Sequence, residues 1–273
     1  MEAFEDAITF GHPAAGAAVR NLLERLERRE ARRVAFIAPT RVGWALPLYE
    51  LALLTAARLS EKGVEDARLL LVTPEAAPLD VFGDEASTMV GRLLGAAGVE
   101  FVGGTYADQV RGELRLGTTG PALGVDAIVA LPLMRGPRLT GVPTEPQLGF
   151  LPVDAFGRVA DTEGVYAAGD VTDFPVKQGG LATQQADAVA EHIAARVGAA
   201  VTPEPFQPVL RGMLLTGGEP RFLAADLRDG GTSRASAQAL WRPAAKIAGR
   251  HLAPYLADRD RDVEPEPPVG AHA

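Results

Sequence analysis

The sequence predicts an α/β fold built on a doubly wound parallel sheet, and three observations carry that reading. Short apolar runs bounded by turn residues recur at 34–38, 69–72, 99–102 and 126–131. Stretches of helical period separate the first three of them. The 273-residue chain is 47% hydrophobic and 23% charged, the balance of an ordinary globular protein long enough to bury a sizeable core.

Residues 14–32 place Val19, Leu22, Leu23 and Leu26 on one side of a helix and charges on the other. The run Val34-Ala35-Phe36-Ile37-Ala38 is a buried strand by length and content, and Pro39 ends it. Residues 46–60 form a second helix, with Leu46, Tyr49, Leu53 and Leu54 near one stripe. Leu69-Leu70-Leu71-Val72 is a second strand, closed by Thr73-Pro74. Asp84 or Glu85 opens a third helix, for which Gly98 is the C-cap glycine, and 99–102 is a third strand. This strand–helix alternation requires short, right-handed crossovers and a Rossmann-like domain over 8–136. Within it, 106–116 alternates around Gly112 and predicts antiparallel strands, whereas 126–131 is again a buried strand.

Beyond that domain the pattern changes. Residues 148–163 form a hairpin-like piece, with Asp154, Phe156-Gly157-Arg158 and Asp161 as turn chemistry. A short strand at 165–168 and a helix over about 180–197 complete a second unit, 137–200. Short strands at 214–215 and 221–223 and a helix at 244–257, broken by Pro254, make a small C-terminal region over 201–257. The stretch 258–273 is charged and proline-rich, with almost nothing to bury, and is expected to be disordered.

Composition excludes several classes of function. A net charge of −8 argues against a nucleic-acid partner, which needs a basic footprint. The arginines between Arg25 and Arg33 alternate with Glu24, Glu27 and Glu30 and read as a solvated helix face. The absence of cysteine excludes disulfides, thiolate metal sites and dithiol redox chemistry. The four histidines are dispersed without ligand spacing, so no metal site is expected. No apolar run reaches the length of a transmembrane helix, and a cytoplasmic location is the default.

The chemistry concentrates in Gly164-Val165-Tyr166-Ala167-Ala168-Gly169-Asp170-Val171. An apolar strand delivers a glycine that lets a ligand approach the backbone, then a carboxylate able to accept from sugar-like hydroxyls. The helix beginning near Gly179-Gly180 offers its N-terminal N–H groups to a polar ring edge or anion. The same residues read equally well as a strand-to-turn connection with no ligand.

With the upstream Phe156-Gly157-Arg158-Val159 and Asp161, these residues resemble the second flavin-binding fingerprint of the pyridine nucleotide–disulfide oxidoreductase superfamily. The resemblance runs through most of residues 8–257 and is nearest to sulfide:quinone oxidoreductases and type II NADH dehydrogenases. Trp44 to Ala52, Lys177 to Ala186 and Trp241 to Arg250 carry that branch. It implies an FAD-dependent oxidoreductase passing electrons from an unidentified donor to a quinone or similar small-molecule acceptor. Residues 137–200 would then be the C-terminal half of an FAD-binding domain, and 201–257 the acceptor side. By resemblance, FAD would be held by Gly169, Asp170, Lys177, Gln178, Gly179, Gly180 and Ala182. Asp170 would meet the ribityl chain and Lys177 the ring. Lys177 as a solvated loop residue, and Gln184 and Gln185 as helix surface, are the alternatives.

Three departures qualify the resemblance. The Gly-x-Gly-x-x-Gly turn that opens the family's chain is not in the sequence, whose start matches the family's middle. Roughly a hundred residues, about half a dinucleotide-binding fold, would then lie outside it. The chain is accordingly expected to be a fragment, a truncated frame, a non-catalytic module, or one subunit of a split flavoprotein completed by a partner chain; a homo-oligomer is the other expected association. Pro39-Thr40-Arg41-Val42-Gly43-Trp44 stands where a glycine-rich nucleotide turn would follow the first buried strand, so NAD(P) binding is not expected, although Glu75 or Asp80 has the chemistry for a ribose. Sulfide oxidation of the family's kind relies on cysteines and is excluded.

Overall fold

The computed structural model describes residues 4, 6–41, 43–110, 113–117, 119–228, 230–242, 244, 246–247 and 249–262. Along the chain the elements are β1 (Ile8–Thr9), α1 (Ala15–Glu27), β2 (Arg33–Ile37), α2 (Leu46–Glu61), β3 (Arg68–Val72), α3 (Gly83–Ala96), β4 (Val99–Val102), β5 (Ala107–Val110), β6 (Glu113–Leu116), β7 (Ala127–Ala130), α4 (Gly179–Arg196), β8 (Val209–Leu214), β9 (Arg221–Asp226), β10 (Ser233–Ser236) and α5 (Leu252–Asp262).

Five strands form a parallel sheet in the order β1-β7-β2-β3-β4. From β2 the order steps outward through β3 to β4 on one side, while β7 and then β1 lie on the other, a parallel Rossmann-like sheet of the kind the strand–helix alternation predicts. Burial follows the pleat. Val34, Phe36 and Ala38 join Leu69, Leu71 and Val129 in one apolar cluster, whereas Ala35 and Ile37 join Val72 and Ala130 in another. The first cluster contains Leu22 and Leu26 of α1, Leu48, Tyr49 and Leu53 of α2, and Val90 and Leu94 of α3. The second is closed by Phe4 and by Ala107 and Leu114 of the β5–β6 hairpin. Helices therefore cover one face and a hairpin the other. Gly112, read as that hairpin's turn, lies outside the described residues.

The helix boundaries follow local chemistry. Asp84 and Glu85 stand in the first turn of α3, where acids favour the helix dipole. Gly98 follows α3 at φ +68°, the left-handed position a C-terminal glycine takes. The antiparallel sheet β10-β9-β8 adds Leu210, Leu214, Leu223 and Ala225 to the helical side of the core. Gly212 brings β8 so close to α2 that a Cβ there would meet Leu46 and Phe82 at 2.7 Å.

Three expectations are corrected. Residues 165–168 are extended but form no strand; Tyr166 makes a lone antiparallel bridge with Arg158. The last helix begins at Leu252 rather than 244 and runs to Asp262, into the stretch expected to be disordered. Pro254 does not break it, because proline in a first turn withholds an N–H that needs no intrahelical partner. Asp187 caps that turn by accepting from the backbone N–H groups of Arg250 (2.6 Å), His251 (3.3 Å) and Leu252 (3.0 Å). The rest of the tail, 263–273, lies outside the described residues.

Gly157 sits at φ +72°, and a Cβ there would lie 2.3 Å from Val189 Cγ2 and 2.8 Å from the Ala167 carbonyl oxygen. Gly164 has a similar φ of +74° but open space around it. Gly157→Ala is expected to cost about 2–4 kcal/mol, and Gly164→Ala only the backbone share of about 1–2 kcal/mol. Urea melts of the two variants check this; equal losses would show that packing at Gly157 contributes nothing.

Candidate functional site

Two segments that are distant in sequence meet beyond the carboxyl end of β2. The backbone N–H of Lys177 donates to the Gly43 carbonyl at 2.9 Å. A Cβ on Gly43 would sit 2.7 Å from Lys177 Cγ, so Gly43 is small to let the lysine pass. The Lys177 ammonium donates to the Thr172 carbonyl and lies 3.7 Å from the centre of the Phe150 ring. Burial pulls its pKa below the ordinary lysine value, against the opposing pull of Asp170, Asp173 and Glu145.

Lys177, Gly43, Phe150, Asp173 and Arg41 line a cavity of about 330 Å³. A second cavity of about 520 Å³ adjoins it, lined by Pro39, Thr40 and Tyr106 and sharing Arg41, Gln147 and Leu148. Pro39 and Thr40 come directly after β2, beside which the strand order reverses toward β7. This is the crevice in which open α/β sheets bind ligands.

The Gly169–Val171 stretch is a single 3-10 turn, joined to Leu151 by one parallel bridge at Thr172. Gly169 has φ +78°, and its absent Cβ leaves room for Ala182, 3.2 Å away, on α4. Its N–H donates to Gln185 Oε1 at 2.6 Å, and Thr172 Oγ1 donates to its carbonyl at 2.9 Å. The turn is thus held by α4. Asp170, by contrast, is exposed, and its carboxylate has no hydrogen-bond partner among the described residues.

The other expected site residues lie along the start of α4. Gln178 is buried and is its N-cap: Oε1 accepts from Leu181 N–H at 2.9 Å, and Nε2 donates to the Arg211 carbonyl at 3.2 Å. Gly179 faces Ile247, and a Cβ on Gly180 would press on Gln178 at 2.9 Å. Gln184 exchanges two hydrogen bonds with the Val209 backbone, at 2.9 and 3.0 Å, and is not simple helix surface. The structure therefore places Lys177 on the cavity, leaves Asp170 exposed within electrostatic reach of it, and commits Gly169, Gln178, Gly180, Gln184 and Gln185 to internal contacts. Sequence reasoning missed the tie between α2 and the C-terminal region. Glu50 accepts from Lys246 Nζ at 2.7 Å and from Leu215 N–H at 3.0 Å.

On the nucleotide side, Trp44 packs edge-on against Phe82 at 5.8 Å between ring centres. Glu75 is not a solvated loop acid. Its carboxylate accepts from the Tyr49 hydroxyl at 2.7 Å and from Thr73 Oγ1 at 2.9 Å. Asp80 accepts from Ala76 N–H at 3.1 Å. No helix among the described residues is long and apolar enough to cross a membrane.

No family model matches the sequence, and no curated protein matches it. Solved structures match its fold. The sulfide:quinone oxidoreductase from the hyperthermophilic bacterium Aquifex aeolicus superposes with a TM-score of 0.75 at 16% identity, over 96% of this chain and 70% of that one. The chain has the fold of that oxidoreductase. Reduced CoADR-RHD of Bacillus anthracis gives 0.52 at 14% identity, and the NAD-dependent persulfide reductase from A. fulgidus gives 0.52 at 18%. Each covers 82% of this chain, which spans only 39% and 41% of their lengths.

Burial raises the Glu75 pKa from 4.5 to about 7, only partly offset by its two hydroxyl donors. The folded state holds that proton to a higher pH than the unfolded chain. Stability from this group is full below the unfolded value, falls as pH rises, and is lost above about 7. Glu75→Gln keeps an acceptor for Tyr49 and removes the titration. Its gain over the parent should be near zero at acid pH and reach at most about 3 kcal/mol above neutrality. Urea melts of both proteins across pH read this; a constant difference would show that Glu75 ionises normally.

Proposed function

We propose that the chain belongs to a flavin-dependent oxidoreductase of the pyridine nucleotide–disulfide oxidoreductase type, and that it holds the ring and ribityl end of the cofactor. One observation carries this reading: within a fold of that kind, the exposed Asp170 carboxylate, with no hydrogen-bond partner among the described residues, is near enough to act on the half-buried Lys177 ammonium, which lines a cavity.

The residues fit two parts of a flavin. A carboxylate with open acceptor sites suits ribityl hydroxyls, and an ammonium suits an electron-rich ring edge. The cavity of about 330 Å³ is at the small end of ligand sites, and the adjoining one extends it. They do not fit a pyrophosphate at Gly43, because Lys177 fills the space beside that glycine. A flavin would supply two-electron storage; the chain supplies position and field. Phe150 and the Thr172 carbonyl hold Lys177 partly out of water, where its charge acts more strongly than a surface lysine's.

The acceptor in this reading is a quinone or similar small molecule, and the donor has no assigned site. With no cysteine, these residues cannot carry thiolate or persulfide chemistry. NAD(P) has no role in it either, since Glu75 is engaged with Tyr49 and Thr73. A second reading has one observation in its favour. The Gly169 N–H and the space of its missing Cβ go to Gln185 and Ala182, so the turn is satisfied without a ligand. The chain would then be a non-catalytic module, or one part of a split flavoprotein completed by a partner.

On the proposed reading, these 273 residues alone hold FAD no more than about tenfold more tightly than riboflavin, because the sequence has no Gly-x-Gly-x-x-Gly turn to cradle the pyrophosphate. Asp170→Ala should raise both dissociation constants by about ten- to a hundredfold, the worth of a charge-assisted hydrogen bond. Its urea midpoint should not move. Fluorescence titration of each flavin, with melts on the same preparation, decides. Unchanged affinity, or affinity that falls only in step with stability, leaves the second reading.

A further inference from the structure

Strand β8 alternates: Leu210, Gly212 and Leu214 are buried, and Val209, Arg211 and Met213 face the other way. Arg211 on that outer face is not in open water. Its guanidinium is half-buried, and burial lowers its pKa with no carboxylate close enough to raise it again. Its side chain has no hydrogen-bond or ion-pair partner among the described residues. An arginine stripped of half its water and left without an acid is costly, and such groups in native proteins are normally paired.

Arg211 lines a pocket of about 390 Å³ with Gln184, Phe206, Gln207, Trp241 and Arg242. The pocket shares no lining residue with the Lys177 cavity. Its acids are already engaged. Asp187 caps α5 through three backbone N–H groups. Glu204 pairs with Arg250 at 2.9 Å. Arg242 is exposed at the pocket and has no ion-pair partner among the described residues. Two cationic side chains thus remain unmatched beside two aromatic ones.

The frame is rigid. Gln184 bonds both backbone groups of Val209, and Gln178 bonds the Arg211 carbonyl, so β8 is fixed to α4 on either side of the arginine. Trp241 is set edge-on to Phe222 at 5.4 Å between ring centres. A preformed pocket with a forked donor and aromatic walls suits a ligand with an anionic head and an apolar body.

We propose that this pocket binds a small organic anion, its carboxylate or phosphate head on Arg211 and Arg242 and its apolar body against Trp241 and Phe206. The site is independent of the flavin reading.

Calorimetry at low ionic strength tests it, with benzoate, phenyl phosphate, inorganic phosphate and neutral benzyl alcohol as probes. One or both aryl anions should bind, more tightly than inorganic phosphate, and the alcohol should not. A preference for benzoate assigns a carboxylate ligand, and a preference for phenyl phosphate assigns a phosphate. Arg211→Met keeps the apolar stem and removes the charge. It should weaken the favoured anion by about tenfold or more while leaving the urea midpoint unchanged or higher, since an unpaired charge is lost. Lys177→Met should bind the anion as the parent does. The proposal is overturned if neither aryl anion binds at millimolar concentration, if benzyl alcohol binds equally well, or if Arg211→Met binds as the parent. A loss of stability in Arg211→Met would instead make Arg211 a packing residue and overturn it too.

Discussion

Residues Val34 to Ile37 of β2 are buried on both faces, and their backbone bonds run to β3 on one side and β7 on the other. Asp126 secures the start of this arrangement, accepting from the N–H groups of Arg32 and Arg33 at 2.7 and 2.9 Å. A strand fixed on four sides has one register, because a one-residue slip would exchange Phe36 and Ile37 between the two cores. The loop and helix after β2 inherit that precision. The loop through Gly43 reaches the Lys177 backbone, and α2 carries Tyr49 to Glu75 and Glu50 to Lys246. The cavity at Lys177 is therefore set by a rigid strand, even though its lining comes from loops.

The same dependence explains what could be read in the sequence. Apolar runs announced the inner strands β2, β3 and β7 to within a residue or so, and the edge strand β4 was legible too because Val99, Phe101 and Val102 flank its exposed Glu100. The edge elements β1 and β10 were not. β1 has two residues, and Ser233-Arg234-Ala235-Ser236 in β10 has no run to recognise. The apolar residues at 165–168 read as a strand, but only Tyr166 finds a bridge. Of the site, Asp170 and Lys177 were visible because the motif that contains them is local. Glu75 with Tyr49, Glu50 with Lys246, and Asp187 under α5 were not, because partners 26, 196 and 63–65 positions apart leave no spacing signal.

Buried acids in this protein are consistently engaged. Glu50 binds an ammonium and an N–H, Asp187 three N–H groups, and Glu191 the His251 ring and the Arg250 guanidinium. Together they tie Lys246, Arg250, His251 and the start of α5 to α2 and α4. These residues are thus held by charge-assisted bonds, which are stronger and more directional than neutral ones. Against that background Arg211 and Asp170 differ. Neither has a hydrogen-bond partner for its charged group among the described residues; Arg211 lines a pocket, and Asp170 is exposed near the Lys177 ammonium. Where neighbouring charges are matched this thoroughly, an unmatched one points outward, to a ligand.

The Gly169 turn shows why geometry alone leaves two functional readings. Its N–H is taken by Gln185, its carbonyl by Thr172, and its open side by Ala182. In a ligand site, such internal satisfaction is preorganisation: the turn has no ordering cost left to meet when the ligand arrives. In a module without a ligand, the same contacts are simply a well-packed connection. The energetics separate the two. Preorganising contacts stabilise the fold whether or not a ligand is present, so they carry no information about one. Asp170 is different, because an exposed carboxylate with no hydrogen-bond partner among the described residues contributes little to folding. Any free energy it contributes must appear in binding, and the flavin reading therefore rests on Asp170 rather than on the glycine before it.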